Sequence, residues 1–199
     1  LWIPLYSPDA TRIAFIHNAA GRGQIHVMKS DGSEAVNISN NVFSDRSPVW
    51  SPDGTGLAFV SDRDGDWDIW LMNANGSGQH QLAGNRGLDR APAWSPDGRR
   101  LAWESHVSGI PGIWVCDADG GNSRPLLAPD RPLSVQRVLE ESDGAFSLVE
   151  VDSASRRTNV FADNPFYLIN PVWSPDGQRV AATGLGPYGG HLAVVLDAD

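Results

Sequence analysis

Between Pro48 and Leu82 the chain alternates short apolar runs with polar turns, in an order that predicts four antiparallel strands. Pro48-Val49-Trp50 is a β-branched and aromatic run, and Pro52-Asp53-Gly54 is a turn. Leu57-Ala58-Phe59-Val60 is a second strand, closed by a polar hairpin from Asp62 to Asp66 around Gly65. Ile69-Trp70-Leu71-Met72 is a third strand before the Asn75-Gly76 turn, and a weaker fourth lies around Gln81-Leu82. Neighbouring strand residues face opposite ways, so Ile69 and Leu71 share one face while Trp70 and Met72 share the other. Both faces are apolar and both require cover. Each side chain buried contributes roughly 1.5–3 kcal/mol, and a lone four-stranded sheet cannot collect that on two sides. The same two-sided pattern occurs in Ile113-Trp114-Val115-Cys116 and in Leu192-Ala193-Val194-Val195.

The unit recurs. Trp50-Ser51-Pro52-Asp53-Gly54 returns at Trp94 to Gly98 and at Trp173 to Gly177, with a weaker copy, Tyr6-Ser7-Pro8-Asp9-Ala10, near the start. Position 6 to 50 is 44 residues, as is 50 to 94, whereas 94 to 173 is 79. A second marker opens the later turn of each unit at Lys29, Asn73 and Asp117, always 23 residues after the aromatic, and Lys29 and Asn73 each stand 21 before the next one. Stepping 21 forward from Asp117 reaches Val138, and 21 back from Trp173 reaches Asp152. Only 14 residues separate those two, so nine are missing from a fourth unit. The chain therefore divides into five units, near 1–40, 41–84, 85–128, 129–163 and 164–199, within a single domain. Stacking such units about an axis covers both faces of each sheet, which predicts an all-β propeller of five repeats, four full and one shortened.

The unit x-P-x-W-S-P-D-G-x-x-L-A-F-x-S, followed by D-I-W-L-M-N-A-N-G, resembles the TolB-type (WD-like) β-propeller repeat. The match is close over 41–76 and 91–120, good over 1–32 and 170–199, and poor over 131–162. Gly-His and Trp-Asp signatures of true WD repeats are not in register. This resemblance implies a scaffold found in the periplasmic TolB protein, in propellers joined to prolyl-oligopeptidase-like hydrolases and tricorn-type proteases, and in extracytoplasmic sensor domains. It implies a periplasmic or extracellular location. The chain opens at Leu1 with no leader and ends before a fourth strand of its last unit, so it reads as trimmed: a piece of a larger propeller, or a minimal ring closed by packing.

Composition narrows the function classes. The net charge is −9, and the basic pairs Arg99-Arg100 and Arg156-Arg157 make no extended patch, which argues against nucleic acid. A single cysteine, Cys116, excludes an internal disulfide and a cysteine zinc site. No apolar run reaches the ~20 residues of a membrane-spanning helix, so direct membrane insertion is not expected. No G-x-S-x-G elbow is present, and the Ser, His and acidic residues recur as parts of the repeat, so an enzyme is not expected within this chain.

Strand order sorts the loops. The Ser-Pro-Asp-Gly and Asn-Gly-type turns fall on one face, uniform in sequence, with each Asp expected to bind nearby backbone N–H groups. The variable hairpins between second and third strands fall on the other, together with the linkers between units. Variable loops on a rigid scaffold are where binding resides. Candidate partner-binding residues there are Arg46, Arg90, Asp62, Arg63, Asp64, Asp66, Trp67, His106, Arg131 and Tyr188. Arg46 and Arg90 each stand four residues before a marker Trp and should meet at the channel mouth; they would contact an anionic group, or pair with Asp45, Asp89 or an adjacent unit. Trp67, beside a hairpin, is placed to project. Asp62 to Asp68 invites calcium, but the glycine is fourth and position twelve is Asn73, against the EF-hand pattern. No cofactor is expected, calcium being the alternative, and no histidine spacing suits a metal. The functional expectation is a non-catalytic propeller that binds a protein or peptide. A recognition or gating propeller of a hydrolase and a carbohydrate-binding module are the alternatives.

Overall fold

Each Ser-Pro-Asp-Gly turn closes on itself through its own side chains. In the computed structural model, Ser7, Ser51, Ser95 and Ser174 donate to the Asp two residues on at 2.5, 2.6, 2.6 and 2.6 Å. That Asp accepts the N–H two residues further on, at 3.0–3.1 Å. The fourth residue of each turn is left-handed, at φ 70° for Gly54 and Gly98 and 69° for Gly177, which a glycine adopts without penalty. In the weaker first copy Ala10 takes the same conformation at φ 57°. The expected turn role of these aspartates holds.

The structure describes residues 4–19, 21–84, 87–107, 111–126, 136–142, 145–151, 167–185 and 191–198. Its strands form four antiparallel sheets. The first contains β1 (Leu5–Tyr6), β2 (Arg12–Ala19), β3 (Arg22–Lys29) and β4 (Val36–Asn37). The second contains β5 (Asp45–Trp50), β6 (Gly56–Ser61), β7 (Asp68–Asn73) and β8 (His80–Ala83), and the third β9 (Asp89–Trp94), β10 (Arg100–Ser105), β11 (Gly112–Asp117) and β12 (Arg124–Pro125). The last joins β13 (Gln136–Ser142) and β14 (Ala145–Val151) to β15 (Tyr167–Trp173), β16 (Arg179–Leu185) and β17 (His191–Asp197), in the order β14-β13-β17-β16-β15.

That last sheet departs from a blade for each of the five units. The abbreviated fourth unit supplies only the hairpin β13–β14 among the described residues, and β13 pairs with β17 at Arg137↔Val195 and Val138↔Val194. It thereby takes the outer-strand place of the fifth unit. A two-stranded ribbon is marginal alone in water, and the free edge of β17 offers unpaired N–H and C=O groups that it can satisfy.

The sheets stack in chain order through their first strands. Strand β5 packs on β1, β2 and β3; β9 on β5, β6 and β7; β15 on β9, β10 and β11. Both faces of the middle sheets are covered, as the alternation requires. Leu57, Phe59 and Met72 pack with Ala14 and Ile25 of the first sheet. Ala58, Val60 and Ile69 pack with Leu101 and Trp103 of the third. Ala102, Ile113 and Val115 pack with Trp173, Val180 and Val194 of the last. Marker tryptophans seal these seams: Trp50 Nε1 donates to Leu5 O at 3.1 Å and Trp173 Nε1 to Ala93 O at 3.0 Å. Arginines staple two of them. Arg12 lies 4.8 Å over the Trp50 ring and donates to Gly54 O at 2.8 Å. Arg100 lies 4.8 Å over Trp173, donates to Gly177 O, and reaches Ala198 O at 2.7 Å.

Candidate partner-binding rim

Among the described residues, the variable loops of the second and third units gather at one end. Asp62 N donates to Ser44 O at 3.3 Å, Asp89 N to Trp67 O at 2.6 Å and His106 N to Leu88 O at 3.0 Å, tying each linker to a hairpin. At the opposite end the two kinds of uniform turn are tied together, as by Ala74 N to Thr55 O at 2.8 Å. First strands reach the rim through a shared bulge. Ser47, Ala91 and Asn170 are left-handed at φ 53°, 53° and 55°, and the pairing of β5, β9 and β15 with their neighbours shifts register there. The bulge re-aims the preceding residue, which is Arg46, Arg90 or Ile169.

Arg46 and Arg90 come together, but neither takes the adjacent aspartate. Arg46 lies flat on Trp67, its Cζ 3.3 Å from the ring centroid. Burial and then the nearby Arg90 charge lower its pKa from the ordinary value, with Asp62 opposing. Trp67 therefore does not project; it is half-buried beneath the guanidinium and packs on the core between the second and third sheets. Arg90 binds Glu104 through Nε at 2.7 Å and Nη2 at 2.6 Å, and His106 Nε2 meets the same oxygen at 2.9 Å. Glu104 is 1% exposed, so the Arg90–Glu104–His106 group is an anchored pair with one open flank. Its presence was signalled in the sequence by an acid at the place of Val60 in an otherwise apolar strand.

Arg63 is committed internally. It pairs with Asp45 at 3.0 Å, donates to Ser61 Oγ and Gln79 Oε1 at 2.8 Å each, and lies 4.3 Å over Trp70. Asp62 accepts the Ser44 N–H at 2.8 Å. The ligand oxygens of Asp64, Asp66 and Asp68 lie within 4.8 Å of one another. Gln81 Nε2 binds Asp64 and reaches Asp68 at 3.1 Å, and Gly87 N donates to Asp66 at 3.2 Å. Burial, then a hydrogen bond and charge from Asp64, push the Asp68 carboxyl up to about 8. Burial raises Asp89 to about 7, with the neighbouring Ser105 hydroxyl and Trp103 indole opposing it. Crowding of carboxylates in a buried site favours the protonated form of the most buried members, here Asp68 and Asp89. Arg131 and Tyr188 lie outside the described residues.

Small antiparallel sheets stacked in series about converging first strands, with loops sorted to two ends, define a β-propeller. The family model for the TolB β-propeller domain matches residues 1–131, and the chain belongs to that family. No curated protein matches it. Among solved structures it is similar to a TolB from Agrobacterium tumefaciens (TM-score 0.64, 22% identity, 90% of this chain and 52% of that one). It is also similar to a Mycobacterium tuberculosis puromycin-hydrolyzing peptidase (0.66, 17%, 98% and 27%) and an oligogalacturonate lyase from Vibrio parahaemolyticus (0.62, 17%, 99% and 48%). The chain thus spans about half the length of the TolB structure and less of the others.

Proposed function

We propose that this chain is a non-catalytic, protein-binding propeller scaffold of an extracytoplasmic bacterial protein, periplasmic or extracellular, and that the rim holding Arg46, Trp67, Arg90 and His106 meets the partner. The observation that carries this is the pairing of two converging arginines, one on an aromatic face and one half-exposed over a buried glutamate. Arg–aromatic groups of this kind supply a large share of the energy at protein interfaces. The partner is a protein or peptide, with no role for nucleic acid or membrane insertion; among the described residues no helix is long and apolar enough to cross a membrane. The reading uses no cofactor. Against calcium at the Asp64–Asp66–Asp68 cluster stands the Gln81 amide, which already donates to Asp64 and Asp68.

Capture from envelope extract tests it. The wild-type chain should retain a partner that the triple variant Arg46→Ala, Arg90→Ala, Trp67→Ala loses; equal capture by both would remove the rim. A second reading is supported by the likeness to the puromycin-hydrolyzing peptidase, of which the chain covers 27%: a substrate-gating propeller attached to a hydrolase. A G-x-S-x-G segment in the same reading frame would decide for it. The carbohydrate-binding alternative is the weakest, since Arg46 already stacks on the half-buried Trp67 ring.

A further inference from the structure

The arginine staple is absent from one seam. Six residues after the marker aromatic stand Arg12, Gly56, Arg100 and Arg179, so the second sheet alone has a glycine there. Where the side chain would lie, between the second and third sheets, is a cleft of about 270 Å³ lined by Gly56, Leu57, Trp94, Asp53, Asp97 and Gly98 among others. Its tryptophan differs from its counterparts. Trp50 and Trp173 are buried at 9% and 8% exposure under their arginines, whereas Trp94 is only half-buried. Its indole N–H has no hydrogen-bond partner, whereas theirs donate to Leu5 O and Ala93 O. Gly98, which lines the cleft, corresponds to Gly54 and Gly177, whose carbonyls accept the two staples.

The chain thus shows twice what fits this shape: a guanidinium flat on the indole, donating to the turn glycine's carbonyl. The cleft keeps those elements and lacks only the cation. Two carboxylates, Asp53 and Asp97, stand at its edge. Their pKa values are lowered first by the hydrogen bonds from Ser51 and Ser95, so both are anionic at neutral pH.

We propose that the Gly56 cleft is a recognition subsite for one guanidinium group, supplied by an arginine side chain of a protein or peptide partner. It is at the opposite end from the rim, and it depends on the protein-binding reading only for the source of the arginine. Lysine fits less well, because an ammonium is a point charge without a planar face to stack.

The test is titration of the full chain with N-acetyl-arginine amide, following the Trp94 indole N–H resonance, assigned by its loss in Trp94→Phe. Saturable movement of that resonance is expected, with the lysine analogue weaker by roughly five- to tenfold. Gly56→Arg should abolish the response by filling the cleft with the chain's own side chain. The rim triple variant should leave it unchanged, which separates failure of the rim from failure of the cleft. No movement of the Trp94 resonance in the wild-type chain, equal response to both amides, or undiminished binding by folded Gly56→Arg would each overturn the proposal. If Gly56→Arg does not fold, the arginine–lysine comparison on the wild-type chain still decides.

Discussion

Truncating Arg100 should loosen the seam between the third and last sheets by an amount the structure lets one work out. The side chain donates to Gly177 O and Ala198 O and covers the Trp173 ring. A hydrogen bond from a charged donor contributes about 1.5–3 kcal/mol net. Gly177 is buried and loses its only side-chain donor among the described residues, but Ala198 O keeps Arg124 at 2.9 Å, so the second bond counts at the lower end. The stack adds about 0.5–1 kcal/mol. Arg100→Ala should therefore cost about 4 kcal/mol, a large share of an ordinary domain's stability. Arg12→Ala, which gives up one carbonyl and one stack, should cost about 2 kcal/mol. Urea unfolding followed by tryptophan fluorescence and circular dichroism measures both. Arg100→Lys should recover less than half the loss, since an ammonium cannot bridge two carbonyls and lie on a ring together. A cost below about 1 kcal/mol for Arg100→Ala, or a larger cost for Arg12→Ala, would refute the staple argument.

The Ser-Pro-Asp-Gly turn predicts that Ala10→Gly stabilises by about 0.5–1 kcal/mol, relieving a left-handed alanine against the greater chain entropy of glycine, while Gly98→Ala does the reverse; denaturation midpoints decide. Stability should depend on pH on both sides of a mildly acidic maximum. Asp68 and Asp89, raised to about 8 and about 7, hold protons that the unfolded chain releases above about 4, so their contribution is lost as pH rises through 7 and 8. Asp9, lowered to about 2, and the similarly lowered Asp53, Asp97 and Asp176 act oppositely, their contribution being lost as pH falls below about 4. Melting temperatures from pH 3 to 9 should show this dome, and Asp68→Asn should flatten its alkaline limb; an unchanged limb would show that Asp68 is ionised in the fold. Calcium at pH 6 should leave the melting temperature unmoved, and a rise would restore the metal reading of Asp64, Asp66 and Asp68.

What the sequence made legible was whatever repeats. Spacing of Trp50, Trp94 and Trp173 placed the strands, their two-sided faces and the end to which each loop belongs, because a recurring turn imposes a recurring backbone. Pairing at the rim was harder to read, because it depends on single departures from the repeat. Glu104 draws Arg90 away from Asp89 only because it replaces a valine on a buried strand, and Arg63 reaches Asp45 across 18 residues. The fate of the fourth unit was likewise hidden. Missing residues can be counted, but not the edge to which the hairpin β13–β14 attaches, since any exposed ladder satisfies its backbone equally well.

The bulge in the first strands has a bearing on how such a surface could change. Its kink is carried by the main chain at Ser47, Ala91 and Asn170, three different residues in one conformation. The backbone at the position just before it is thus set independently of its side chain, and the chain fills it with arginine twice and isoleucine once. New specificities could be written there on an unchanged kink, with Glu104 changing alongside Arg90 because its buried carboxylate needs that cation.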